Sequence, residues 1–356
     1  MLVVGTTSDY IDLILEDHPG RALFITSPEI REKAQESKPS NADEIITELD
    51  SFEQVKSVLI KHLKHWQQKI TGVACFDCES MELASRLASH FDLQYPSLDS
   101  VRNCRDKYVS KQLWQENSIP CPSVVPVNTL GDLVQFLSKV KDGIVLKPLY
   151  GSGSELVFKC ETIEDCEKAF MAIKTGLEKR LTNPLFRKSS SQSHLMLAEE
   201  FVTGPEYSCD FIVENNKITI IRLSRKIKPE SPYCGTISGY ILPADLPERI
   251  RYSQLESILL KGANSLGIHR GICMADFIFR DDKIMLIEMT PRPGGDCLPF
   301  LLKEAGDVDI LNIALDFAEK KPFKLNGYHS FKLHIGLRIH AKKKRCVKKN
   351  KYRPFE

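Results

Sequence analysis

The stretch GICMADFIFRDDKIMLIEMTPRPGG, residues 271–295, reads as two apolar strands joined at Asp281-Asp282 and closed by a Pro/Gly-rich exit. Paired aspartates between apolar runs are a turn signal. With a three-residue loop at 281–283, Asp276 falls opposite Glu288. Directly opposed residues have Cβ atoms about 5 Å apart. Each carboxylate sits among apolar neighbours (Met274, Phe277, Leu286, Met289), where an unpaired charge is costly. Two resolutions are open. A hard divalent cation can take oxygen from both acids, or Asp276 can pair with a nearby base such as Arg280. If the strand stays extended, alternation places Glu288, Thr290 and Arg292 on one side.

Upstream, VLKPLYGSGSELVF, residues 145–158, is a strand, a glycine–serine turn and a returning strand. Lys147 lies in an otherwise apolar strand. Gly151 to Ser154 suit either a plain hairpin or a concavity of N–H groups and hydroxyls around phosphate oxygens. No G-x-x-x-x-G-K-[ST] occurs in the chain. LAEEFVTGPE, residues 197–206, reads as a strand exit and a Gly-Pro turn, either an acidic surface loop or a hinge between two lobes. The segment Asp99–Ile119 is helical and carries Lys107 and Lys111 one turn apart, and prolines stop it. Residues 182–194 read as a mobile surface loop.

The first hundred residues alternate short apolar runs (LVVG, ALFITS, DEIITEL, GVACFD) with helical spacing such as Phe52, Val55, Leu59 and Leu63. That alternation predicts a doubly wound parallel sheet. Gly5 follows the first strand without a G-x-G-x-x-G, so this part of the fold names no ligand.

The 356 residues are 42% hydrophobic and 27% charged, a globular composition. The net charge of +2 conceals a basic end: residues 338–356 carry +8, leaving about −6 on the body. A mildly acidic body does not favour nucleic acid, and the basic run reads as a solvated end. No apolar run reaches the roughly 18 residues of a membrane span. Eleven cysteines and no basic leader point to a reducing, cytoplasmic setting. The C-x-x-C at Cys75 and Cys78 falls at the end of a buried strand, which argues against redox chemistry. No H-E-x-x-H or G-x-S-x-G is present.

Taken in order, RDKYVSKQLWQENSIPCPSV, VLKPLYGSGSELVF, AEEFVTGPEYSCDF and MADFIFRDDKIMLIEMTPRPGGD resemble the ATP-grasp superfamily over residues 100–320. Within it, PRPGGD most resembles carboxylate–amine ligases of the L-amino-acid ligase and carnosine-synthase type. The resemblance implies an α/β chain: a Rossmann-like domain at 1–100, ATP-grasp lobes at 101–320 with the nucleotide-covering lobe within 145–213, and a C-terminal segment with a basic tail at 321–356. It implies that Lys107, Lys147 and Lys226 (or Lys228) contact ATP phosphates and that Gly151, Ser152, Gly153 and Ser154 close over them. Glu199, Phe201 and Val202 would flank adenine, and Glu206 would hold the ribose. Asp276, Glu288 and Thr290 would bind magnesium, or manganese in its place, with Thr290 standing where the family usually has Asn. Arg292 and Lys147 would be catalytic, facing the transferred phosphoryl group. The implied partners are a carboxylate and an amine substrate; apart from the resemblance, a homodimer is the default assembly. The alternatives are a cell-wall or nucleotide-precursor ligase, and an ATP-binding protein weakened in catalysis.

Overall fold

The computed structural model describes residues 1–151, 155–180, 196–228, 237–323, 325 and 331–338. The predicted loop at 182–194, Ser152, Gly153, Ser154 and the basic tail from 339 onward lie outside these residues.

The N-terminal strands β1 (Leu2–Val4), β2 (Leu23–Thr26), β3 (Glu44–Ile46) and β4 (Val73–Ala74) form a parallel sheet in the order β3-β2-β1-β4. Between them run α1 (Ser8–Asp17), α2 (Pro28–Lys33) and α3 (Phe52–Trp66), and α4 (Met81–His90) follows β4. Leu2, Val4, Leu23 and Ile25 face Val55, Leu59 and Leu87 on one side. Such runs are apolar on both faces because both faces are covered.

The single helix expected over 99–119 is two helices, α5 (Leu98–Arg105) and α6 (Lys107–Glu116). Asp106 breaks it: its backbone is extended, and one carboxylate oxygen accepts from the N–H groups of Tyr108 and Val109 at 3.0 Å each. A short acid that offers the backbone an alternative bond starts a new helix better than it continues an old one.

A small antiparallel sheet follows, in the order β5-β8-β6-β7: β5 (Val124–Val127), β6 (Ile144–Pro148), β7 (Phe158–Cys160) and β8 (Met196–Glu200). The helices α7 (Leu130–Leu137) and α8 (Ile163–Glu178) pack on it through Leu133, Phe136, Ala169 and Ile173. Both begin in a capping box, Thr129 with Asp132 and Thr162 with Asp165. This lobe therefore runs from 124 to 200 rather than 145 to 213. The strand β9 (Glu206–Glu214) belongs to the next sheet, because its seven central residues are buried and need partners on both sides.

That sheet has six strands in the order β13-β12-β9-β10-β11-β14. Besides β9 they are β10 (Lys217–Ile227), β11 (Gly239–Leu242), β12 (Gly271–Arg280), β13 (Lys283–Thr290) and β14 (His334–Leu337). The helix α9 (Tyr252–Ser265) and Trp114 cover one face. On the other face lie α10 (Leu298–Gly306) and α11 (Ile310–Ala318).

Two expected boundaries move. The segment 321–356 is not separate, since β14 pairs with β11 as an edge strand. Residues 1–100 are not self-contained either. Val3, Phe24 and Ala74, on the second face of the N-terminal sheet, share one core with Leu302, Ile313, Leu315 and Phe317 of α10 and α11. No helix among the described residues is long and apolar enough to cross a membrane.

Candidate active site

A cleft of about 520 Å³ opens between the small sheet and the large one. Lys107, Lys147, Gly151, Glu199, Phe201, Val202, Glu206, Lys226, Asp276, Glu288 and Arg292 all line it. These residues are spread over 186 positions of sequence. Their convergence is the work of two facing sheets and one helix terminus.

The predicted opposition of Asp276 and Glu288 is present, but by another route. The turn has two residues, since Arg280 pairs with Lys283, and Asp281 and Asp282 both have positive φ (51° and 56°). Such a turn alone would set Asp276 opposite Ile287. A bulge after Asp276 shifts the register by one and brings Glu288 across. The extra residue, Ile287, is left outside the ladder, and its carbonyl accepts from the buried ammonium of Lys111.

Lys111 was the neighbour passed over in favour of Lys107, although both were visible one turn apart. It is fully buried and lies 3.4 Å from Glu199, which Lys147 meets at 2.8 Å. Burial pushes the Glu199 carboxyl up, but the two ammonium groups outweigh it and hold the net value below the usual range. The Glu199 side chain is therefore a clamp on two lysines. Its neighbour Phe201 donates its backbone N–H to Gly143 at 3.0 Å, which takes that amide out of the set open to a base edge. Lys107 donates to the Gly151 carbonyl at 2.7 Å. Burial lowers its pKa, and the nearby Glu288 opposes that.

Lys226 stands between two expected ligand groups, 2.7 Å from Glu206 and 2.6 Å from Asp276. It thus supplies the base that Arg280 was expected to offer. Arg280 instead reaches Glu200 at 2.8 Å and Asp142 at 3.6 Å, tying the hairpin to the small lobe. The intervening turn is tight: a Cβ at Gly204, where φ is +141°, would fall 2.0 Å from the Phe279 carbonyl.

Asp276 Oδ2 takes Lys226, while Oδ1 is buried without a hydrogen-bond partner among the described residues. Burial pushes the Asp276 carboxyl up; Lys226 opposes this, and Glu206 and Glu288 add to it. An orphaned carboxylate oxygen beside a second acid is a position a divalent cation fits, and Asp276 and Glu288 are the residues that would hold one. The Thr290 hydroxyl is buried and donates to the Met81 sulfur at 3.8 Å, and Thr290 lines a small cavity that also takes in Glu288 and Lys107. Among the described residues no three His, Cys, Asp or Glu side chains gather as a metal cluster.

Arg292 is held by a residue that sequence reasoning had set aside. Its Nε and Nη2 donate to Cys78 Sγ at 3.1 and 3.0 Å. Burial raises the thiol pKa and the guanidinium opposes it, so Cys78 serves here as an acceptor. His269 is exposed and bonds Asn264, as befits a loop residue.

Glu206 carries the site's pH prediction. Burial would raise its pKa, but Lys226 and Lys228 overcome that and bring it to about 2. A carboxyl depressed in the fold stabilises above its unfolded pKa, and the benefit is lost as pH falls toward the folded value. From 4.5 to about 2, the linkage is worth about 3 kcal/mol. Denaturant titrations from pH 5 to 2 should therefore show a steeper loss in the parent than in Glu206→Gln, and parallel curves would refute the assignment.

Comparison with known proteins extends this geometry. Residues 140–299 match the ATP-grasp domain family. A D-alanine–D-alanine ligase from Ralstonia nicotianae is 24% identical over 237 residues, covering 64% of this chain and 66% of the ligase. An uncharacterized protein, y4rH, from Sinorhizobium fredii is 23% identical over 242 residues, 68% of this chain and 47% of that protein. The chain thus spans less than two thirds of these relatives. Among solved structures, an L-amino acid ligase from Bacillus licheniformis superposes with a TM-score of 0.70 at 19% identity, covering 90% of this chain and 74% of that one. Phosphoribosylglycinamide synthetase from Anaerococcus prevotii gives 0.61 at 17% identity over 90% of this chain and 75% of that one.

Proposed function

We propose that this chain, which carries an ATP-grasp domain, is an ATP-dependent carboxylate–amine ligase acting on amino acids. The observation that carries the reading is the orphaned Asp276 Oδ1 opposite Glu288, on a cleft floor that also holds Lys107, Lys147 and Arg292. A carboxylate and an amine do not condense at neutral pH, because the acid is ionised and its leaving group is poor. Transfer of the γ-phosphoryl group of ATP to a carboxylate oxygen breaks the bond to ADP and forms an acyl phosphate. The amine then attacks the carbonyl carbon, loses a proton, and phosphate departs.

Lys107, Lys147 and Arg292 neutralise charge on the phosphoryl oxygens. A bound magnesium ion would add Lewis-acid stabilisation of the same oxygens, held by Asp276 and Glu288. Cys78 fixes the guanidinium plane. The Glu199 clamp fixes Lys147, and the lobe over the cleft excludes water from the acyl phosphate. D-alanine–D-alanine and L-amino acid ligases among the relatives support an amino-acid substrate.

The test is phosphate release with Mg-ATP across L- and D-amino acids and other carboxylates, with products identified by mass. Release that requires an amino acid pair and yields a dipeptide is the expected result. Nucleotide binding with no turnover under any pair would overturn it.

A further inference from the structure

The far end of the cleft joins Asp296, inside the matched domain, to Arg338, which lies beyond it. The φ of Asp296 is +63°, a conformation Asp tolerates, and its carboxylate meets Arg338 Nε at 2.7 Å. Three distant parts of the chain converge there: Tyr10 of α1 donates to the Asp296 carbonyl at 3.0 Å, and the N–H of Arg338 donates to the Ser238 carbonyl at 2.7 Å. Arg338 follows β14 directly and had been assigned to the solvated basic end. Both side chains line the cleft and are about one third exposed. A Cβ at Gly295, next to Asp296, would lie 3.7 Å from Arg292 Nη1, and Arg292 lines the same cleft, so the pair adjoins the arginine assigned to the phosphoryl group. Ile237, Met274 and Leu298 line the same cleft.

We propose that the Asp296–Arg338 pair is the acceptor-recognition subsite and takes an α-amino acid as its zwitterion. The ammonium group displaces Arg338 from Asp296, the carboxylate takes the guanidinium, and the side chain meets the apolar wall; the ammonium gives up a proton to solvent before the free amine attacks. This rests on the ligase reading above and adds to it the identity of the acceptor groups read. An ion pair exposed to about one third contributes only about 0–1 kcal/mol, so exchanging it for a ligand that satisfies both partners costs little. A protonated monoamine without a carboxylate offers only half of this match.

The test compares an acceptor amino acid with its carboxamide, which keeps the ammonium but lacks the carboxylate. In the parent the acid should be the better acceptor. Arg338→Gln should raise the Michaelis constant for the acid by about tenfold or more, since a charged hydrogen bond is lost, and leave that for the amide nearly unmoved. Asp296→Asn should raise both. In either variant the constant for ATP should stay within about twofold. Should Arg338→Gln fold poorly, Arg338→Lys keeps the charge and should retain the preference for the acid in weakened form. Equal effects on acid and amide, or an equal rise for ATP, would overturn the subsite. A parent that turns over normally while Arg338→Gln keeps the full preference removes the subsite alone, whereas a parent with no amino-acid-dependent turnover removes the ligase reading with it.

Discussion

Glu288→Ala is expected to lower amino-acid-dependent phosphate release by about a thousandfold or more, the scale seen when a group stabilising transition-state charge is removed. Two consequences follow from its position. Asp276 loses the acid opposite it and keeps Lys226, which already sits 2.6 Å away, so the floor closes into a plain ion pair. Glu288 is also the first charge opposing the burial-lowered pKa of Lys107. Its removal should lower that pKa further and weaken the grip on phosphate at high pH. Thermal melting should change little, because Glu288 is only partly buried and bridges no two elements through a described ion pair. Retained turnover would remove the metal assignment.

The second large effect lies beneath the cleft. Arg222 and Asp210 are both fully buried, with Nε to Oδ2 at 2.6 Å and Nη2 to Oδ1 at 3.2 Å. The remaining guanidinium bonds go to Ser208 and Ser224. Asp210 Oδ1 also accepts from the N–H of Gly294 at 2.8 Å, so the network anchors the turn that follows Arg292. A Cβ at Gly294 would fall 2.4 Å from Arg222 Nη2, so only glycine allows this approach. Arg222→Met leaves Asp210 buried and unpaired and should cost about 3–5 kcal/mol in equilibrium unfolding. The double variant Asp210→Leu/Arg222→Met should regain part of that stability while activity stays low, because the Gly294 amide has lost its acceptor. A double variant as active as the parent would show that the turn needs no anchor.

What was legible in the sequence depended on how local its cause was. The parallel sheet and the Asp276–Glu288 opposition follow from local patterns. Even so, the opposition was reached with a turn one residue too long, because a bulge and a shorter turn cancel in the count. The helix break at Asp106 could have been read from a short acid able to cap a new helix at Lys107. The helix α10 also had a signal in Leu298, Leu301, Leu302 and Ala305, obscured by Pro299, which the first turn of a helix accepts. Lys111, Cys78 and Arg338 could not be ranked beforehand. Their meaning comes from partners up to 214 positions away, as between Cys78 and Arg292, and no periodicity encodes such a contact.

The core shared by the first strands and the last helices has a consequence during synthesis. A ribosome extruding this chain delivers Val3 and Phe24 early, yet the residues that cover them end at Phe317. Until then that face of the nascent sheet is covered only in part, by Tyr10, Ile11 and Ile14 of α1. Vectorial folding of the amino-terminal third is therefore incomplete, and a truncated transcript would yield a sticky product rather than a smaller folded unit.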